Sequence, residues 1–328
     1  MVTALCFFAL PAPAKSASLD FQNPFTAAGF RFRRYLATDK FQRQIPYYIT
    51  ESESSRPLPI AIFILGSGSY SQFLVRDGKI LCAHRDFLEV LNGRARVLIV
   101  EKVGIKFGEQ PAVAGTAEGS SSTFRREHTL ERWTEAISAA LHAARKLPYI
   151  DLNKTLVIGH SEGAEVAAAV AARNGFVTHV ACLNGAGPTQ LFNFLQDARA
   201  GKLYGPSVKA DEQVQRLLHQ WAEIQSSPTE CDAMWLGHSY CYWASFMASS
   251  ALKDLPLTSA RIFLANSDNS VEDEQNIDLL RATLLAHGKD VKVVLIKGAD
   301  HAFQVPDHAE RDGWRDMQKL ILDWFFSR

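Results

Sequence analysis

Apolar residues in this chain gather into short dense runs separated by stretches of helical period. Pro59–Leu65, Ala95–Val100, Thr155–Ile158, Val177–Leu183, Ser259–Leu264 and Val291–Ile296 are such runs. Short runs without polar alternation mark strands buried on both faces, the condition of a parallel sheet. Between them His84–Asn92, Glu127–Lys146, Ala164–Ala172, Glu272–His287 and Trp314–Phe326 read as helices. In the second of these, Leu130, Trp133, Ile137 and Leu141 are spaced to share one face. Phe30–Thr38 and Arg43–Thr50 read as two leading antiparallel strands, and a Gly/Ser/Thr-rich loop covers about Gly104–Ser122. Strands alternating with helices predict an α/β fold, with a mostly parallel central sheet and helices on both faces.

The alternation is interrupted once. After the strand ending at Leu183 the next one is delayed to Ser259. Helical patterns near Leu191–Ala200, Glu212–Gln225 and Tyr240–Leu252 fill the gap, which predicts a helical cap inserted at about 190–258. The insertion is rich in aromatics. Trp243 and Phe246 are candidate substrate-binding residues, with the cap's own small core as the other use for them.

The segment with the most chemistry is Gly159-His160-Ser161-Glu162-Gly163. It joins an apolar β-branched run to an alanine-rich helix, the strand–turn–helix setting in which Gly-x-Ser-x-Gly exposes a nucleophilic serine. The turn is strained, so small neighbours are needed, and Gly159 and Gly163 supply them. The serine also stands at a helix N-terminus, where developing negative charge is favoured. Downstream, Asp268 leaves the strand that ends near Leu264, and His301 leaves the strand Val291–Ile296.

Serine elbow, then acid, then histidine, each after a strand, is the order of the α/β-hydrolases, and the chain resembles that family from about Pro59 to Arg328. The resemblance implies Ser161 as nucleophile, Asp268 as orienting acid and His301 as general base. A serine hydroxyl needs a base with a pKa near working pH, and histidine supplies it. Glu272 and Asp273 are the substitutes for the acid, since Ser-Asp-Asn-Ser around Asp268 is also good turn chemistry. Asp300, beside His301, reads as a loop-bonding acid. Gly66-Ser67-Gly68-Ser69 follows the first apolar strand, where the family turns to donate one N–H to an oxyanion. The implied oxyanion hole is the backbone of Ser67 or Gly68 together with that of Glu162. Two departures stand out: Leu65 replaces the family's histidine before this turn, and Ala265 replaces its usual glycine before the acid.

Composition narrows the function classes. The 328 residues are 47% hydrophobic and balance 35 basic against 35 acidic side chains, enough for a large core and without a nucleic-acid footprint. No apolar run is long enough to span a membrane. No Cys-x-x-Cys or His/Cys cluster argues for a metal, no dinucleotide fingerprint follows the first parallel strand, and no cofactor is expected. The expected activity is cleavage of a small-molecule carboxylic ester through an acyl-enzyme. Thioesterase, peptidase or acyltransferase chemistry on the same triad is the alternative, and a non-catalytic binding protein of this fold is the alternative from another class. The oligomeric state is left open.

The N-terminus reads separately. An apolar run, Ala4–Leu10, precedes the small-residue stretch Pro11–Ser18. A signal peptide over residues 1–18 is expected, its natural start upstream because a basic leading region is missing, followed by the hydrolase-like domain over 19–328. A secreted or periplasmic protein follows; a plain tail on a cytoplasmic protein is the alternative. Of the five cysteines, Cys231 and Cys241 lie close enough in the insertion to pair in an oxidising compartment.

Overall fold

A computed structural model of the chain describes residues 23–185, 188–268, 271–306 and 311–327. The expected signal peptide lies outside the described residues. The chain runs β1 (Phe25–Ala27), β2 (Phe30–Thr38), β3 (Gln44–Thr50), β4 (Leu58–Ile64), β5 (Phe73–Arg76), β6 (Lys79–Cys82), α1 (Arg85–Leu91), β7 (Arg96–Val100), α2 (Ser122–Glu127), α3 (Leu130–Ala144), β8 (Ile150–His160) and α4 (Glu162–Arg173). It continues with β9 (His179–Leu183), α5 (Gln190–Arg199), α6 (Ala210–Ser226), β10 (Met234–Trp235), β11 (His238–Ser239), α7 (Tyr240–Phe246), α8 (Ala251–Asp254), β12 (Arg261–Asp268), α9 (Val271–Ala286), β13 (Val291–Lys297) and α10 (Gly313–Phe326).

The main sheet has the order β1-β2-β3-β7-β4-β8-β9-β12-β13. From β7 to β13 neighbouring strands are parallel, and β1, β2 and β3 add an antiparallel flank. Successive side chains of a strand face opposite ways, so each dense apolar run feeds two cores at once. Ile60, Ile62, Ile64 and Val157 enter the core shared with α3, α4 and α9. Ala61, Phe63, Leu156 and Ile158 enter the core shared with α1 and α10. Each fully buried isoleucine adds about 1.5–3 kcal/mol, so the runs that identified the strands also hold the two helix layers on.

The strand order reverses beside β4: the chain goes from β4 to β7 on one side, then to β8 on the other. Crossovers diverging from that point leave a crevice at the C-terminal ends of the strands. Register places Ile64 of β4 opposite Gly159 of β8, so the Gly66–Ser69 turn and Ser161 leave the sheet side by side.

Two details depart from the sequence pattern. The helix expected from Glu127 to Lys146 is α3, beginning at Leu130, and a separate short helix, α2, precedes it, each with its own cap. Ser121 Oγ accepts the Phe124 N–H at the start of α2, and Thr129 Oγ1 accepts that of Arg132 at the start of α3. The segment before α1 forms a hairpin of β5 and β6 whose turn, Asp77-Gly78, has φ of 48° and 70°.

The segment between β9 and β12 holds α5 to α8 and a small β10–β11 hairpin. Cys231 and Cys241 are joined by a disulfide across the hairpin's flanks, with Cα atoms 5.1 Å apart. Trp243 and Phe246 are 4% and 1% exposed. Trp243 Nε1 donates to the Trp235 carbonyl at 2.6 Å, and the Phe246 ring stacks on Tyr242 at 4.6 Å. Both therefore pack as part of the core beneath the cap. The Gly104–Ser122 loop lies between the cap and the turn after β4: Ser69 N–H donates to the Thr116 carbonyl, and Ala117 N–H to that of Gly237. No helix among the described residues is long and apolar enough to cross a membrane.

Candidate active site

Ser161 sits between β8 and α4 with φ 59° and ψ −127°, a conformation rare for any residue with a Cβ. Packing enforces it. A Cβ on Gly159 would run into the Gly163 carbonyl, and one on Gly163 into the Ile64 carbonyl. The Ser161 N–H donates to the Leu183 carbonyl of β9 at 2.9 Å. The side chain is partly exposed at the head of the 12-residue helix α4.

Gly66 approaches so closely that a Cβ there would lie 3.2 Å from Ser161 Cβ and 3.6 Å from its Oγ. Among the described residues, neither the Ser67 N–H nor the Glu162 N–H has a hydrogen-bond acceptor. Both adjoin the strained serine: Ser67 follows Gly66, which packs on it, and Glu162 follows Ser161 in the chain.

His301 is held over the same turn by its backbone. Its carbonyl accepts from His160 Nε2 at 2.8 Å and from Asn184 Nδ2 at 2.9 Å. The rings of His301 and His160 are 4.7 Å apart. Burial pushes the His301 imidazole below its ordinary pKa, with Asp300 acting the other way. Burial pushes His160 further, to about 3, so it is neutral and its donor nitrogen is Nε2. Asp300 ties the His301 turn together: its Oδ1 accepts the N–H groups of Ala302 and Gln304 at 2.8 and 2.9 Å.

Asp268 ends β12, in register with Lys297 of β13. Its side chain, like those of Glu272 and Asp273, lies outside what is described. The backbone beside it is tethered to His301 through a single amide: Asn184 Oδ1 accepts the Ser267 N–H at 2.6 Å and its hydroxyl at 3.0 Å, while Nδ2 holds His301. Asn184 thus links the end of β12, which carries the expected acid, to the loop that carries the expected base. Nothing in its sequence context marks it beyond a turn-forming Asn-Gly after a strand.

Beneath this surface lies a buried polar cluster that the sequence pattern does not reveal. Glu162, one residue after the serine, turns its carboxylate inward. It meets Lys102 Nζ at 3.3 Å, His128 Nε2 at 3.1 Å and Tyr242 Oη at 2.9 Å. The Lys102 and Glu162 side chains are 2% and 3% exposed. Burial alone would raise the Glu162 carboxyl, but His128 and Lys102 outweigh it and hold the carboxyl well below its usual range. Burial pushes Lys102 and His128 down, against the pull of Glu162. The arrangement we assign is an ionised pair, Lys102 with Glu162, with His128 Nε2–H donating to the carboxylate.

No family model matches the sequence, and no curated protein matches it. Solved structures do. An acylaminoacyl peptidase of Pyrococcus horikoshii is similar at a TM-score of 0.59 and 15% identity, over 90% of this chain and 41% of that one. A puromycin-hydrolyzing peptidase of Mycobacterium tuberculosis is similar at 0.57 and 14% identity, over 92% and 40%. Est1E from Butyrivibrio proteoclasticus is similar at 0.53 and 18% identity, over 90% of this chain and 99% of that chain. The chain thus spans about two-fifths of the length of the two peptidases and nearly all of Est1E. Sheet order, the elbow and these likenesses give the chain the α/β-hydrolase fold.

Proposed function

We propose that the protein is a serine hydrolase that cleaves a small carboxylic ester through an acyl-enzyme. The observation that carries this is Ser161 itself, strained at φ 59° beside two N–H groups without acceptors. His301 takes the hydroxyl proton as Ser161 Oγ attacks the ester carbon. The carbonyl oxygen becomes an oxyanion that accepts from Ser67 and Glu162 N–H, with Gly68 completing the turn. The carbon–oxygen bond to the alcohol then breaks and His301 returns the proton to the leaving alkoxide. Water repeats the sequence on the acyl-enzyme, releasing the acid and restoring Ser161. Asp268 fixes the tautomer of His301, its place one residue beyond the Asn184 tether supporting that role. The Cys231–Cys241 disulfide supports a secreted or periplasmic setting for this chemistry.

The test pairs p-nitrophenyl esters of increasing chain length with a peptide p-nitroanilide. Ester turnover with a burst equal to the enzyme concentration is expected. Turnover of the anilide alone would move the protein to peptidases. Asp268→Asn should lower kcat by about 10⁴-fold through the wrong imidazole tautomer. If Glu272→Gln or Asp273→Asn does this instead, the acid is misplaced.

A further inference from the structure

We propose that Lys102 is a positioning residue that aims the Ser67 N–H at the reacting oxygen, with Glu162 holding Lys102 and Tyr70 assisting. The inference rests on the proposed serine hydrolase reading and adds the device that shapes its oxyanion site.

The geometry is that of one peptide plane. Lys102 Nζ donates to the Gly66 carbonyl at 2.9 Å and to the Gly68 carbonyl at 3.2 Å. Tyr70 Oη donates to the same Gly66 carbonyl at 3.1 Å. In a trans peptide the carbonyl and the following N–H point in opposite directions. Two donors gripping the Gly66 oxygen from below therefore turn the Ser67 N–H the other way. Gly66 is the residue against which Ser161 packs, so that N–H emerges beside the serine. The third acceptor of the ammonium is Glu162 Oε1. Glu162 donates the other oxyanion N–H from its own backbone, so the pair ties both donors to one buried strut.

A buried carboxylate one residue from the nucleophile would repel an oxyanion forming nearby, and a low dielectric magnifies the repulsion. Lys102 neutralises it. A buried ion pair is not needed for stability, since an apolar pair of similar volume often does as well. Its placement here, with all three ammonium hydrogens committed to the turn and to Glu162, is what a catalytic scaffold requires. The preceding residue grips the far end of the same turn: Glu101 accepts from Ser71 Oγ at 2.6 Å and from the Gln72 N–H at 3.1 Å.

The test measures kcat and KM on a p-nitrophenyl ester, and Ki for a matching trifluoromethyl ketone, in wild type, Lys102→Met, Tyr70→Phe and Ser161→Ala. The ketone adds to the serine and puts its oxyanion in the hole, so its Ki follows transition-state stabilisation while KM does not. Losing one oxyanion donor costs about 10²–10³ in kcat; Lys102→Met, which misaims the donor, should lose about 10- to 100-fold. KM should stay within about twofold, and Ki should weaken by the same factor as kcat/KM. Tyr70→Phe removes one hydroxyl and should lose about threefold with the same signature, which decides the matter if Lys102→Met does not fold. Wild-type kcat in both variants, or a loss of kcat without the matching change in Ki, overturns the proposal. A wild type that hydrolyses while Ser161→Ala does not shows that the failure lies with Lys102 and leaves the hydrolase reading standing.

Discussion

Glu165 lies one helical turn beyond Ser161 and its side chain is buried, with Ser249 Oγ donating to its carboxylate at 3.2 Å. Burial raises its pKa from 4.5 to about 7, Ser249 opposing and Asp254 adding to the rise. In the unfolded chain the group ionises near 4.5. Between those values the folded protein holds a proton that the unfolded chain has lost, so stability falls as pH rises through the window and levels off above about 7. At about 1.4 kcal/mol per pH unit the gap bounds the effect at roughly 3 kcal/mol. Glu165→Gln keeps the shape and the acceptor for Ser249 but cannot ionise. Urea unfolding at pH 5 and pH 8 should give near-equal stabilities for wild type and variant at pH 5. At pH 8 the variant should be more stable, by about 1–3 kcal/mol. Glu101, also raised to about 7 by burial, is common to both proteins and cancels in the comparison. A stability difference that is the same at both pH values, or larger at pH 5, would refute the reasoning.

Three further expectations follow from the packing of the elbow, the loop tether and the cap. Gly163→Ala forces a Cβ into the Ile64 carbonyl, and should leave the protein insoluble or lower its unfolding free energy by several kcal/mol, at least about 3, read by thermal melting. Asn184→Ala removes the link between Ser267 at the end of β12 and the His301 loop; kcat on a short ester should fall about tenfold or more with KM nearly unchanged, whereas an unaltered kcat would show that the two hold their places without it. Opening the Cys231–Cys241 bridge in a Cys231→Ser/Cys241→Ser double variant frees a separation of 10 residues. The loss of stability should be about 2–3 kcal/mol by chemical denaturation, and no loss would mean that the hairpin is held by its packing alone.

Much of the fold is visible in the chain because its strands are continuous apolar runs and its central helices carry one clean apolar face. β4, β7, β8, β9 and β12 fall on runs that need burial on both sides, and the elbow glycines stand where two backbones touch. The Asp77-Gly78 turn between Phe73–Arg76 and Lys79–Cys82 is a strong hairpin signal in a segment to which the apolar runs assign no element. The start of α3 is written in Thr129, a capping residue just inside the expected helix. Lys102, His128 and Tyr242 were not legible. They reach Glu162 across 60, 34 and 80 positions of sequence. A lysine or histidine at a strand or helix end reads as solvated unless its partner is known. Asn184 is hidden for the same reason: its side chain bonds Ser267 at the end of β12 and His301 in the loop after β13, both far along the chain. The aromatics of the insertion could serve a pocket or a core, and only packing distinguishes the two, as it does for Trp243 and Phe246.

The central claim is that Ser161 is an activated nucleophile, and covalent labelling tests it most directly. A fluorophosphonate reacts at useful rates only with a serine whose proton is removed by a nearby base and whose developing oxyanion is stabilised. Incubation of the folded protein with the probe, followed by proteolysis and mass spectrometry, should place one adduct on the peptide containing Ser161. The adduct should be absent from Ser161→Ala and reduced by about 10³-fold in rate for His301→Ala. An adduct on any other serine, or a folded wild-type protein that takes up no probe, contradicts the account.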